Sequence, residues 1–205
     1  MTATPPRPDA AFDFPSHEER ARWATLPPST IIIDHLWDAR RAPEAGPRLG
    51  LRFGEKMLAI EIDAPFHGDP PPEAAPGRCP KLWEHEVVEL FLLGSRERYL
   101  ELEFGPHGHY LALRLAGVRR LQADGMTLPY AASIENGRWS AEARVPLEWL
   151  PPDWSRFNAY AIDGDGAQRR YWARFPVPGA RPDFHRLDCF GTFEGAAPIS
   201  SRRKG

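Results

Sequence analysis

Long apolar runs and cysteine are both scarce in this sequence. The two cysteines, Cys79 and Cys189, are far apart and neither belongs to a Cys-x-x-Cys motif, a pattern that indicates free thiols and implies no zinc site. No stretch approaches the roughly 18 apolar residues that a membrane span requires, and the N-terminal residues lack the apolar core of a signal peptide. We therefore expect a soluble cytoplasmic protein.

An excess of charge of either sign is also missing. The chain carries 26 Lys and Arg against 28 Asp and Glu, which gives a formal net charge of -2. Nucleic acids and anionic membranes attract strongly basic surfaces, so neither is expected as a partner. Nothing in the composition indicates a cofactor or an oligomeric state.

Proline, in contrast, is abundant, with 23 in 205 residues against an average usage of about 5%. Proline ends helices and is excluded from central strands, so the composition favours an all-β fold with many loops. Six of the prolines fall in residues 64–81. A segment this long and stiff is either the rim of a binding site or an insertion without function.

Beyond residue 28, apolar and polar residues alternate in short runs, as in half-buried strands. Asn136-Gly137 lies between two such runs and is a strong signal for a hairpin turn. About nine to eleven strands, with turns every 8 to 12 residues, predict an antiparallel two-sheet β-sandwich with short helical turns over residues 16–195. Ser16 is the expected N-cap of a short helix, and residues 1–15 and the basic tail 196–205 are expected to be disordered.

Two predicted hairpins at the centre of the chain, which turn near residues 94–96 and 105–108, bring polar side chains to one face. In the register that buries the leucines of all three strands, Glu89 lies opposite Glu101, and Arg114 lies beside Tyr99. Arg114 is then the nearest cation that could separate the two carboxylates. The predicted polar face consists of Glu89, Tyr99, Glu101, Glu103, Tyr110 and Arg114.

Glu89 is the anomaly of this region, because it interrupts an apolar run and a buried carboxylate has to be paired or hydrogen-bonded. Carboxylates, an arginine and flat aromatic rings on one surface are the groups that carbohydrate recognition uses. Three other interpretations stay open. They are a solvated sheet face with cross-strand ion pairs, a small-molecule enzyme such as a glycosidase that uses Glu89 with Glu101 or His185, and a protein-interaction module with an exposed edge strand.

Three short polar motifs indicate turns or loops rather than metal or catalytic sites. His107 and His109 lie at a predicted turn, and the residues 163–166 lack the closing glutamate of a calcium loop. Asp183 and His185 are two residues apart, but no serine or cysteine lies in the context of a nucleophile elbow. No catalytic residue and no metal ligand is therefore assigned.

The sequence also resembles known families. The pair Leu82-Trp83, the run Glu86-Val87-Val88-Glu89, Tyr99-x-Glu101 and the turn Pro106-His107-Gly108 resemble the family 9 carbohydrate-binding modules and the wider DOMON-like sandwiches, which form a jelly roll. Further motifs, among them Asp69-Pro70-Pro71 and Pro182-Asp183-Phe184-His185, look like an uncharacterised family of intracellular proteins shared by bacteria and animals. This closer resemblance covers about residues 33–193.

The resemblance to family 9 modules implies a sugar site in which a tryptophan and a glutamate six residues later contact the ligand. Trp83 and Glu89 match that pair, and Trp172 is the counterpart of a second tryptophan from a later strand. The calcium sites of those modules do not carry over, so no metal is implied. The expected function is binding of a carbohydrate or a sugar-containing small molecule by Trp83, Glu89, Tyr99, Glu101, Arg114 and Trp172.

Overall fold

The computed structural model describes residues 29–194, so the helix predicted from Ser16, the residues 1–15 and the tail 196–205 lie outside the described range. Within this range no helix is long and apolar enough to cross a bilayer. The strands are β1 (Ser29–Ile32), β2 (His35–Leu36), β3 (Arg48–Phe53), β4 (Met57–Pro65), β5 (Gly77–Arg78), β6 (Val87–Leu93), β7 (Arg98–Phe104), β8 (His109–Ala116), β9 (Leu121–Ala123), β10 (Tyr130–Glu135), β11 (Arg138–Pro146), β12 (Arg156–Asp163), β13 (Arg170–Ala173) and β14 (Gly191–Thr192). Short 3₁₀ helices span Leu82–Glu84, Ser95–Glu97, Leu147–Trp149, Gly166–Gln168 and Leu187–Cys189.

The strands form two sheets, which confirms the predicted all-β sandwich. The five-stranded sheet has the order β1-β3-β4-β11-β10 and is antiparallel throughout. The nine-stranded sheet has the order β2-β13-β12-β6-β7-β8-β5, with β14 paired to β12 and β9 paired to β8. Its two-residue strand β5 pairs parallel to β8. The hairpin at Asn136-Gly137 is confirmed, and both turn residues have the positive φ that this turn requires.

Two layers of apolar side chains hold the fold together. The facing sides of the two sheets form the main core, in which Leu90 and Leu102 belong to the same buried cluster as Ile60 and Trp139. The outer side of the nine-stranded sheet carries a second buried cluster. It is covered by residues 177–190, called here the cover segment, which contributes Val177, Phe184, Leu187 and Phe190.

Strand β6 shows what this second layer does to the sequence pattern. All seven of its residues are buried, because one side faces the main core and the other faces the second cluster. A strand buried on both sides has a continuous apolar sequence instead of an alternating one. The outward-facing Glu89 therefore lies inside the protein, and the interpretation of its face as a solvated sheet surface is wrong.

The predicted register of the β6–β7 hairpin is wrong by two residues. Glu89 lies opposite Glu103 and not Glu101, and Leu90 lies opposite Leu102. The turn lies one residue further along the chain than predicted, since the Gly94 N–H donates to the Arg98 carbonyl at 2.8 Å and the three residues between them, 95–97, form a 3₁₀ turn. A shift of two residues keeps every side chain on its predicted face.

The predicted register of the β7–β8 hairpin is wrong by one residue, and this error has larger consequences. Gly105 belongs to the ladder, because its N–H donates to the His109 carbonyl at 2.8 Å, and only three residues remain in the turn. A one-residue slip moves every side chain of a strand to the other face. The leucines of β8 therefore lie beside the glutamates, while Tyr110 and Ala112 enter the main core.

Candidate functional site

A cavity of about 520 Å³ lies on the outer side of the nine-stranded sheet, within the range of roughly 300–1,000 Å³ that is usual for small-molecule sites. Its floor is formed by Glu89 of β6, Glu101 of β7 and three leucines of β8. One wall comes from residues 78–83 and the opposite wall from the cover segment. The site is thus a concave, mostly apolar chamber with carboxyl groups at its base.

Three glutamates, called here the acidic cluster, lie at and beneath this floor. Glu89, Glu101 and Glu103 have exposed fractions of 2%, 4% and 0%. Glu89 and Glu103 are directly opposed on neighbouring strands, and Glu101 is two residues before Glu103 on the same side of β7. No N–H group of residues 29–194 donates a hydrogen bond to Glu89 Oε1 or Glu101 Oε2.

Burial dominates the ionisation of the acidic cluster. It raises the pKa of Glu101 to about 7, and the hydrogen bond from Glu103 and the charge of Arg119 limit the rise. Burial, followed by repulsion from Glu101, holds the pKa of Glu89 well above its ordinary value, against the attraction of Arg169. Burial and the neighbouring carboxylates also raise the pKa of Glu103 well above its ordinary value. The cluster therefore holds protons at neutral pH.

The first wall presents an exposed indole. Trp83 lies in the 3₁₀ turn Leu82–Glu84, lines the cavity and has 41% of its surface exposed. Arg169 holds this turn in place, because its guanidinium donates to the carbonyls of Trp83 at 2.5 Å, Glu84 at 3.1 Å and Gly164 at 3.1 Å. An indole that is fixed at its backbone but free on its ring is suited to stacking on a ligand.

The Pro-rich segment 64–81 ends at the same wall, since Arg78, Pro80 and Lys81 line the cavity. Its earlier part is tied to the sheet by Glu86, whose carboxylate accepts the N–H groups of His67 at 3.0 Å and Asp69 at 3.4 Å. The stiff segment predicted from its prolines therefore rims the cavity.

The opposite wall is the part of the cover segment around Phe184. The Phe184 ring stacks on Tyr160, with the centroids 3.9 Å apart and an interplanar angle of 5°. Asp183 forms an ion pair with Arg119 at 2.7 Å. These two contacts fix residues 183–185 over the floor.

His185 completes this wall, and its ionisation is set by burial. Burial and the charge of Arg119 lower its pKa to about 4, against the attraction of Asp183. Its Nδ1 lies 2.7 Å from the Tyr99 hydroxyl, whose oxygen also accepts the N–H of Arg119. The hydroxyl proton of Tyr99 then donates to Nδ1, so the neutral imidazole carries its own proton on Nε2.

The structure brings together half of the predicted site. Trp83, Glu89 and Glu101 line the cavity. Tyr99 is 1% exposed and lies behind His185 rather than in the cavity. The placement of Arg114 in the site is wrong, because the one-residue slip in β8 turns it to the other side of the sheet, where it is exposed.

The placement of Trp172 in the site is also wrong. Trp172 is paired with Ala161 on β12, and its side chain belongs to the main core with 1% exposure. Its indole N–H donates to Asp163 Oδ2 at 2.5 Å. Burial between the sheets and this internal hydrogen bond leave no surface of the ring for a ligand.

Other residues of the site were not predicted as contacts. The cover-segment wall, with Asp183, Phe184 and His185, was interpreted as a structural loop, because strand periodicity contains no information about what covers a sheet. His185 entered only the enzyme interpretation, as an alternative to Glu101 as the partner of Glu89. Glu103 was on the predicted face, but its burial was not predicted. The signal for it was present in β6, where six of the seven residues are apolar, a pattern that implies cover on both sides of the sheet.

The motifs interpreted as turns have structural partners. His109 is buried, and its Nε2 lies 2.8 Å from the Ala74 carbonyl. Asp163 accepts hydrogen bonds from Arg170 and Trp172. Within residues 29–194, no group of three or more histidine, cysteine or acidic side chains is arranged to hold a metal ion, and Cys79 and Cys189 are free thiols.

Comparisons with known proteins agree with this fold. No family model matches the chain. A Bacteroides uniformis protein that has been proposed to bind carbohydrate has a similar structure, with a TM-score of 0.62 and 16% identity over 80% of this chain and 85% of that one. A family 9 carbohydrate-binding module of Caldicellulosiruptor kristjanssonii, solved with glucose, matches with a TM-score of 0.41 and 14% identity over 75% of this chain and 76% of that one. At these identities the structural likeness concerns the fold alone.

Sequence relatives are much closer. The UPF0462 protein C4orf33 homolog of Danio rerio is 39% identical over 172 residues, which cover 80% of this chain and 87% of the relative. The human UPF0462 protein C4orf33 is 37% identical over 170 residues, which cover 78% of this chain and 85% of the relative. With this identity over most of both lengths, the chain belongs to the UPF0462 family.

Proposed function

We propose that the protein binds a sugar or a sugar-containing small molecule in the cavity between Trp83 and the cover segment. The observation that carries the proposal is an exposed indole beside two buried carboxyl groups in one chamber. An aromatic ring can cover the apolar face of a pyranose, and carboxyl groups that hold a proton can both donate to and accept from its hydroxyls. The sandwich fold that the chain shares with a Bacteroides uniformis protein proposed to bind carbohydrate supports the same class of ligand.

Substitution of Trp83 or Glu89 by alanine should weaken saccharide binding at least about tenfold, since each removes a contact worth roughly 1.4 kcal/mol. Binding is measured by calorimetry after a thermal-shift screen of sugars and nucleotide sugars against the wild-type protein. Trp83→Ala should change the free energy of unfolding by no more than about 0.5 kcal/mol, because the ring is exposed. Unchanged affinity in both variants would contradict the proposal.

The matched control is Ile134→Ala on β10, which removes a similarly exposed apolar side chain from the other sheet. It should leave saccharide affinity unchanged. If Ile134→Ala also weakened saccharide binding, the losses in Trp83→Ala and Glu89→Ala would reflect lower protein stability and not the loss of a contact with the ligand.

Acid–base catalysis on a sugar is the second candidate, and the concave floor favours it. Glu101 shares a hydrogen bond with Glu103 and has a pKa of about 7, a value suited to giving and taking a proton at neutral pH. In a glycosidase one carboxyl would protonate the leaving oxygen while water adds to the anomeric carbon. Release of nitrophenol from nitrophenyl glycosides by the wild type, and its loss in Glu101→Gln, would establish this activity.

The interpretation as a protein-interaction module receives less support. It predicts a broad apolar patch and no pocket. In the described range the large apolar side chains that are exposed, apart from Trp83 in the cavity wall, are Ile32, Val118, Leu121 and Ile134.

A further inference from the structure

Among the described residues, the floor of the cavity consists of two acids and three leucines and includes no basic side chain. Glu89 and Glu101 line the cavity and are at least nine-tenths buried, and each has a buried oxygen with no hydrogen-bond donor in the described range. Leaving such groups unpaired is costly in a protein interior. Within residues 29–194, no group forms a hydrogen bond with both of these oxygens.

The basic residues around the cavity are mostly engaged elsewhere. Arg119 pairs with Asp183 at 2.7 Å, and Lys81 pairs with Glu84 at 3.3 Å. The guanidinium of Arg169 donates to three backbone carbonyls. Arg78, on the edge strand β5, lines the cavity but forms no ion pair within the described residues.

We propose that the ligand carries a protonated amine that sits against Glu89 and Glu101, so that the site takes an amino sugar in preference to its neutral parent. This inference rests on the proposed sugar-binding function and names the class of sugar. An ammonium group supplies one positive charge and three N–H donors, and such donors are what the buried oxygens of the described floor lack.

The walls suit the same group. Trp83 and Phe184 line the cavity, and the faces of aromatic rings attract cations within about 6 Å. A neutral hydroxyl in the same place would leave the carboxyl groups protonated and would gain little from these rings. An ammonium group would instead allow Glu89 and Glu101 to ionise in exchange for direct charge-assisted hydrogen bonds.

Amine binding should therefore release protons at neutral pH. The titratable and charged groups of the described residues that face the acidic cluster or line the cavity are Glu103, Arg119, Asp183, His185, Lys81, Arg78, Asp124, Arg169, Tyr99, Tyr160 and Tyr171. Of these, Asp183 is held ionised by the hydrogen bond and charge of Arg119, which overcome the effect of burial and lower its pKa. His185 is already neutral. The protons released on binding should come from Glu89 and Glu101, while Glu103, which does not line the cavity, keeps its proton.

The test is calorimetry with glucosamine, galactosamine and mannosamine, each compared with its neutral parent sugar, at pH 7. We expect at least one amino sugar to bind about tenfold or more tightly than its parent, as for a hydrogen bond to a charged group. Repetition in two buffers of different ionisation enthalpy, neither containing a primary amine, should show proton release for the amine and none for the parent.

Glu89→Gln and Glu101→Gln should each abolish most of the preference for the amine and the proton release, because an amide cannot ionise. Glu135→Gln, an exposed glutamate on β10, is the matched control and should retain both. Glutamine has nearly the shape of a protonated glutamate, so Glu89→Gln and Glu101→Gln should both keep the fold. The midpoint of thermal unfolding of each variant checks this.

The outcomes separate this inference from the proposed function. Equal or tighter binding of the neutral sugars would overturn the inference and leave sugar binding intact. Binding of cyclohexylamine but of no sugar would support the amine site and overturn sugar binding. Failure of every amine and every sugar to bind would overturn both.

Discussion

Glu101→Gln is expected to raise the free energy of unfolding by about 3 kcal/mol at pH 8 and by about 1 kcal/mol or less at pH 5. Burial raises the pKa of Glu101 from 4.5 to about 7 in the folded protein. Between these values the folded state binds a proton that the unfolded chain does not, so wild-type stability is lost as the pH rises from 4.5 through 7. Glutamine, which has no such titration, should escape this loss.

Chemical denaturation of wild type and variant at pH 5, 6.5 and 8 measures the effect. His185 acts in the opposite sense, because burial lowers its pKa from 6.5 to about 4, and its contribution to stability is lost as the pH falls through that interval. It is common to both proteins and cancels in their difference. A pH-independent effect of Glu101→Gln, or an equal effect of Glu135→Gln, would contradict the ionisation described for the acidic cluster.

Phe184→Ala is expected to lower the free energy of unfolding by about 3 kcal/mol, as for a large aromatic side chain removed from a packed site. The ring stacks on Tyr160 and is only 9% exposed. Because Phe184 lies between Asp183 and His185, its loss should also release one wall of the cavity and abolish saccharide binding. Chemical denaturation and calorimetry measure the two effects.

Phe184→Leu is the control for this prediction. It keeps an apolar side chain over Tyr160 and should cost about 1 kcal/mol while retaining most of the binding. Limited proteolysis should cut Phe184→Ala within the cover segment and spare the leucine variant. A stable alanine variant with an intact cover segment would show that Asp183 and Arg119 hold the wall without the ring.

The sandwich and most of its strands follow from local patterns. The alternation of apolar and polar residues in β4 predicts a half-buried strand, and Asn136-Gly137 predicts a hairpin turn. Both patterns depend only on residues that are neighbours in sequence. The shared face of Glu89 and Glu101 was also correct, because an error of two residues in the β6–β7 turn does not change the face of a side chain.

The errors in the site arise from interactions that are distant in sequence or that depend on turn length. Arg114 was misplaced because the N–H of Gly105 extends the ladder between β7 and β8, which leaves three residues in the turn instead of four. Trp172 was misplaced because its partner, Asp163, lies inside the fold. The cover segment contains no β-strand, so it lacks the alternation of apolar and polar residues that predicts a place in a sheet. Its position over the acidic cluster could therefore not be predicted from its own sequence.

The cover segment is also late in the chain, since residues 177–190 follow β13. The thirteen strands from β1 to β13 come before it in the sequence, yet the segment forms one wall over Glu89 and Glu101. Without that wall, water would reach the floor and remove the burial that raises the pKa of each acid of the cluster. The proton affinity of residues on β6 and β7 thus depends on a segment that lies about 75 to 100 positions later in the sequence.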